Sequence, residues 1–202
     1  MQVRTIKEIS GKRVNIVMED GFSFVLYKGE VRIYGIEEGK EISENNFDTI
    51  INSVLPKRAT VRAMNLLKVR PYTVKGLTDK LTEGGYPDNA VKAALDYVFS
   101  YHYLDDEQYA RDYVDTYKDR KNKAKLRQDL MTKGVSSDII DMVFEEELED
   151  NDLEIQQIQN FMRKKSFDPD NVSYEEKMKF MASLCRKGYS PELVRRVVGK
   201  GN

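Results

Sequence analysis

The side chains best supplied for chemistry in this chain are cations, and what they suit is the neutralisation of a polyanion or of an acidic protein face. Lys57, Arg58, Arg62, Lys68, Arg70 and Lys75 follow one another with no carboxylate among them. Lys118, Arg120, Lys121, Lys123, Lys125 and Arg127 include a single acid, Asp119. Tyr72 and Tyr117 lie beside these runs. Basic chains interleaved with aromatics suit a nucleic-acid backbone or a nucleoprotein surface, because cations release phosphate counterions and rings stack on bases. The competing reading of any one of these residues is a solvated helix face. The candidate contact set is Arg62, Lys68, Arg70, Lys75, Lys118, Arg120, Lys121, Lys123, Lys125 and Arg127.

Other reactive residue types are sparse. Neither a G-x-x-x-x-G-K-[ST] loop nor a G-x-G-x-x-G turn is present to cradle phosphates. His102 is the only histidine, so a multi-histidine metal site is excluded; it stands between Tyr101 and Tyr103 at a predicted helix end and reads as structural. Cys185 is the only cysteine, has no evident base, and can form no intramolecular disulfide, which fits a reducing cytosol. Asp105-Asp106 stands where a helix begins, a place for capping rather than for acid–base work. The run from Asp141 to Glu154 holds eight carboxylates and no basic residue, without the spacing of a calcium loop. It reads as a solvated face and a joint between repeats, or as an acidic docking surface or DNA mimic. No catalytic residue, metal or cofactor is assigned.

The chain has 202 residues, one third of them charged, with a net charge of −1, so bulk charge names no partner. No apolar run reaches a membrane span and the N-terminus lacks the apolar core of a signal peptide. The expectation is a cytoplasmic monomer without membrane contact.

The elements that must position the cations follow from periodicity. Alternating Val14/Ile16/Met18 and Phe22/Phe24/Leu26 around Asp20-Gly21 predict a hairpin with a type I′ turn. An Ile6/Ile9 strand before Ser10-Gly11 and a Val31–Tyr34 strand complete a small antiparallel sheet over about 1–36. Ser43 then opens a helix carrying Phe47, Ile50, Ile51, Val54 and Leu55.

From Arg58 the period becomes 3.6 and one pattern recurs: Leu77-x3-Leu81-x3-Gly85-Tyr86, Leu126-x3-Leu130-x3-Gly134-Val135 and Phe180-x3-Leu184-x3-Gly188-Tyr189. Its physical content is a helix stop. The glycine takes the left-handed conformation at C′, and the next apolar residue folds back on the Leu four before it. Asp88, Ser136 and Ser190-Pro191 are the predicted caps of the following helices. Each pair is preceded by a helix, with apolar faces Val61/Met64/Leu67, Tyr109/Tyr113/Tyr117 (after Asp105-x-x-Gln108, a capping box) and Ile155/Ile158/Phe161/Met162. The fold class is mainly all-α: tandem three-helix, helix-turn-helix-like repeats in an elongated curved array with a small N-terminal β-sheet extension. The predicted domains are an extension 1–56 and repeats 57–104, 105–149 and 150–202.

The segments Ala63-Met-Asn-Leu-Leu67, Arg70-Pro71-Tyr72-Thr73, Leu77-x3-Leu81-x3-Gly85 and Tyr103-Leu104-Asp105-Asp106-x-x-Tyr109-Ala110 resemble RecX, the bacterial regulators of the RecA recombinase. Leu126-x3-Leu130-x3-Gly134-Val135 continues the likeness, which covers about residues 58–202. The sheet resembles the extension of longer members from Gram-positive bacteria. The third repeat departs from the pattern, with Phe180 at the first Leu position and a longer linker, Lys165 to Asn171, which leaves its tilt open.

The resemblance implies a protein that binds RecA–DNA filaments along their helical groove and holds back strand exchange, ATP hydrolysis and co-protease activity in DNA repair and the SOS response. It implies no catalytic residues. DNA is contacted directly or through RecA. A helix-turn-helix DNA reader and a helical protein-binding scaffold are the alternatives. Against the reader, Asp88–Ser100 and Ser137–Leu148 carry acids and few side chains suited to base edges.

Overall fold

The computed structural model describes residues 1–148 and 152–199. The chain divides into two compact units, Met1–Asp105 and Asp106–Asn202.

In the first unit, β1 (Val3–Ser10), β2 (Arg13–Met18) and β3 (Ser23–Tyr27) form an antiparallel sheet in the order β1-β2-β3. The predicted alternation buries Val14, Ile16 and Met18 of β2 with Phe24 and Leu26 of β3. The hairpin turn differs from expectation. Gly21 alone has positive φ, Gly21 N–H donates to Met18 O at 3.1 Å and Met18 N–H to Phe22 O at 2.8 Å. This is a three-residue loop with its glycine in the left-handed position, and the Asp20 carboxylate accepts from Phe22 N–H at 2.9 Å instead of its backbone turning left-handed.

The predicted Val31–Tyr34 strand is a helix, α1 (Lys28–Ile33). Glu30 accepts from Tyr27 N–H at 2.8 Å and opens the turn; Gly35 at φ 60 closes it, so local capping overrides the β-propensity of Val31 and Ile33. The sheet therefore ends at Tyr27.

Ser43 caps α2 (Glu44–Thr49) as expected, accepting from Asn46 N–H at 3.3 Å. A π-helical stretch, Ile50–Val54, joins α2 to α3 (Leu55–Leu67) without a break. Its physical cause is Pro56, which has no N–H to donate and whose ring crowds the carbonyl four residues back; Leu55 N–H bonds Ile50 O and the helix widens by one residue.

Helices α3, α4 (Val74–Glu83) and α5 (Asp88–Ser100) form the first repeat. Of the apolar face that the spacing predicts, Met64 and Leu67 pack against the core and Val61 does not. Val61 is 60% exposed, while Leu55, Ala59 and Ala63 are fully buried with Ala90 and Ala94 of α5. Small residues let these helices approach closely, and that packing outweighs the hydrophobicity of a valine left outside. Sheet and first repeat share one core, from Val3 through Ile50 to Leu104.

The second unit holds α6 (Asp106–Tyr117), α7 (Lys123–Thr132) and α8 (Ser137–Glu147), then α9 (Asp152–Lys164), α10 (Tyr174–Arg186) and α11 (Pro191–Val198). One core gathers Ala110, Val114, Leu126, Leu130, Ile140, Val143 and Phe144. The other gathers Ile158, Leu184, Leu193, Val194 and Val198.

All three predicted stops take the Schellman form. Gly85, Gly134 and Gly188 have φ of 83, 88 and 94. Tyr86, Val135 and Tyr189 donate back to Leu81, Leu130 and Leu184 at 3.3, 3.1 and 3.2 Å. His102 and Ser166 make two further stops of the same kind without glycine, at φ 54 and 48. Among the predicted caps, Ser136 accepts from Ile139 N–H at 3.4 Å. Asp88 is instead the first helical residue, after Pro87, where its charge still faces the positive helix end. Ser190 stands at the N-cap position of α11 without a side-chain cap, and its N–H donates to Glu154 at 2.6 Å.

The middle helices share one kind of N-terminal cap. Thr73, Asn122 and Ser173 accept from the N–H three residues on, at 3.0, 2.9 and 3.2 Å. Thr73 and Asn122 each precede the first Leu of the pattern by four residues. Ser173 precedes Phe180 by seven, so the irregular third copy has a middle helix of 13 residues where the others have 10.

Candidate interaction surface

The first basic run separates by role. Arg58 is drawn inward: its guanidinium pairs with Glu30 at 2.5 Å, donates to Val25 O at 3.2 Å and lies 4.2 Å from the Tyr27 ring centre. It ties α3 to the sheet and α1. Lys75 pairs with Asp79 at 2.6 Å and Arg70 lies 4.4 Å over Tyr72. Arg62 and Lys68 are exposed and make no ion pair among the described residues.

The second run is largely tied down. Lys121 donates to Asp129 at 2.8 Å and to the Tyr113 hydroxyl at 2.7 Å, and it lies 4.1 Å from the centre of the Tyr117 ring. Lys125 takes the other Asp129 oxygen at 2.8 Å. The bonds from Lys121 and then Lys125 hold the Asp129 carboxyl far below the usual carboxylate range; bonds to Asp129 and then Tyr113 raise Lys121. Lys118 pairs with Asp115 at 2.8 Å, and Arg127 pairs with Asp141 while lying 5.2 Å over Phe144. Lys123 leans over the same ring at 5.6 Å. Lys123 and the exposed Arg120 make no ion pair among the described residues.

The acidic run is partly neutralised from within. Asp141 is spent on Arg127, and Arg111 of α6 reaches Glu107, Glu146 and Glu147 at 2.8, 2.5 and 3.6 Å. Residues 149–151 of that run lie outside the described residues. The Glu107–Arg111 pair is an i,i+4 contact legible in the sequence, whereas Glu146 and Glu147 reach Arg111 only through the packing of α8 on α6.

Second and third repeats interlock. Buried Asn122, besides capping α7, donates to Lys187 O at 2.6 Å across 65 residues. Gln157 donates to the carbonyls of Lys118 and Lys121 at 2.6 and 3.2 Å. A Cβ on Gly188 would stand 2.7 Å from Ala124 Cβ, and one on Gly85 2.1 Å from Val25 Cγ2, so these two stops are also close contacts. Cys185 is half-buried beside the third core, and His102 is exposed. Among the described residues no cluster of three or more His, Cys, Asp or Glu could hold a metal, and no helix is long and apolar enough to cross a membrane.

Comparison with known proteins reproduces the repeat pattern. The models of the first, second and third three-helix domains of RecX match residues 59–97, 105–143 and 152–198. The chain belongs to the RecX family. Regulatory protein RecX of Clostridium perfringens (strain 13 / Type A) is 30% identical over 92% of this chain and 88% of its own length. That of Caldanaerobacter subterraneus subsp. tengcongensis is 26% identical over 96% of each. The fold is that of a crystal structure of regulatory protein RecX, with a TM-score of 0.65 over 98% of this chain and 99% of that one at 20% identity. A RecX from Lactobacillus salivarius gives 0.62 over 73% and 97%, also at 20%. The three RecX domains correspond to α3–α5, α6–α8 and α9–α11, and both cation runs enter a middle helix, α4 or α7.

Proposed function

We propose that this RecX-family protein binds the RecA–DNA filament and restrains its ATPase, strand-exchange and co-protease activities in DNA repair and the SOS response. The observation that carries the reading is the match of three tandem RecX domains, each built on its own glycine-stopped helix pair. Exposed cations supply the means. Arg62, Lys68 and Arg70 in the first repeat, with Arg120 and Lys123 in the second, are the side chains of the candidate set least engaged by carboxylates. An array that meets several protomers at once multiplies weak contacts. The test is RecA ATPase on single-stranded DNA with substoichiometric protein. Inhibition well beyond one RecA per added molecule is the expected result; unchanged hydrolysis at stoichiometric protein overturns the proposal.

A further inference from the structure

The outward residues of α3 and its exit form one stripe. Lys57, Val61, Arg62, Asn65 and Lys68 are all exposed on one broad face of α3 and its C-cap, and exposed Val69 follows directly in the turn that leaves it. The stripe carries three cations and no carboxylate, and none of the three makes an ion pair among the described residues. It also carries two valines, 60% and 82% exposed at Val61 and Val69. Single exposed valines are ordinary. Here two stand beside unpaired cations at a helix whose buried side is built from leucine and alanine, so neither valine is needed by the core.

We infer that this face is a protein-docking surface, and that its occupant is a protein patch with carboxylates ringing an apolar spot. The charge selects an acidic partner, and the valines select protein over nucleic acid. A phosphate backbone offers an aliphatic side chain nothing to bury against, whereas a protein interface sets apolar contacts inside a charged rim. The inference rests on the RecA-filament reading above, in assigning that patch to RecA protomers rather than to the DNA they hold.

The test compares Val61→Ser/Val69→Ser and Arg62→Ala/Lys68→Ala with wild type. Each is measured on RecA filaments assembled on a single-stranded oligonucleotide with a non-hydrolysable ATP analogue, and on the naked oligonucleotide. All four positions are exposed, so thermal midpoints are expected to stay at the wild-type value, which establishes folding. The valine pair is expected to weaken filament binding about tenfold by removing buried apolar area, with naked-DNA binding unchanged. The cation pair is expected to weaken filament binding and flatten its salt dependence. Valine variants that bind filaments like wild type, or cation variants that lose naked-DNA binding by the same factor as filament binding, overturn the assignment. So does sedimentation showing that the face joins two copies of this chain. Wild type that ignores the filament removes the proposed function as well; wild type that binds while both variants match it removes only the face.

Discussion

In the first repeat Arg62 and Lys68 stand in solvent with no carboxylate partner among the described residues, whereas in the second Lys121 and Lys125 close on the two oxygens of Asp129. The runs look alike in the chain, but matching positions differ: at a 49-residue offset Arg62 falls opposite Arg111, whose partners Glu107, Glu146 and Glu147 fall opposite Arg58, Tyr97 and Val98. The offset that aligns Leu77 with Leu126 places Lys80 opposite Asp129. Lys80 pairs with Glu83 at 2.6 Å, so the middle helix of the first repeat offers no acceptor at that position. The same offset sets Tyr72 against Lys121, and Arg70 stacks on that tyrosine where the second repeat has a half-buried salt-bridge donor. A basic residue is thus free or spent according to the carboxylates that the helices of its own repeat bring to it.

The strongest break of this contrast is Asn122→Ala. It removes a cap and strands the Lys187 carbonyl, and we expect a loss of about 2–4 kcal/mol in denaturant unfolding. A second unit that unfolds at the wild-type denaturant concentration would show that the interlock adds nothing.

Lys121→Ala comes next, at about 1 kcal/mol, because Lys121 and Asp129 are partly screened by solvent. Asp129→Asn sharpens the point through pH. The folded-state pKa of Asp129 lies below its ordinary value of 3.8, so its contribution is present above that value and is lost as pH falls further through the folded-state one. The stability gap between wild type and Asp129→Asn should therefore be full at neutral pH and close in strong acid; a gap independent of pH removes the role given to the carboxylate. Charge reversal at Lys121 or Lys125 sets carboxylate against carboxylate, so a loss of inhibition there reports folding rather than contact.

Arg62→Ala/Lys68→Ala is expected to leave stability within about 0.5 kcal/mol of wild type while weakening RecA ATPase inhibition several-fold. Stability falling with activity would collapse the distinction between the two clusters. The smallest effect belongs to Arg120→Ala, with inhibition reduced about twofold as for a rim charge. An effect as large as that of the first-repeat pair would move the centre of contact to the second repeat.

The repeats and their stops were legible in the sequence because a Schellman turn is local: Leu, Gly and the next apolar residue lie within six positions, and the left-handed glycine needs no distant partner. The caps Thr73 and Asn122 were equally local and recoverable, four residues before each Leu. His102 and Ser166 were not, since a left-handed non-glycine residue leaves no mark in composition. Val31–Tyr34 misled because β-branched residues also fit a helix whose ends are capped. What tertiary structure alone decided was which residues are spent. Ala59 and Ala63, not Val61, face the core because α5 brings its own alanines to meet them. Asn122 finds Lys187 across 65 residues, and Arg111 reaches Glu146 and Glu147 of α8. Spacing along the chain fixes the period of a helix and its ends, whereas a charge is neutralised by whatever packing brings within about 4 Å, and that neighbour is set by the fold.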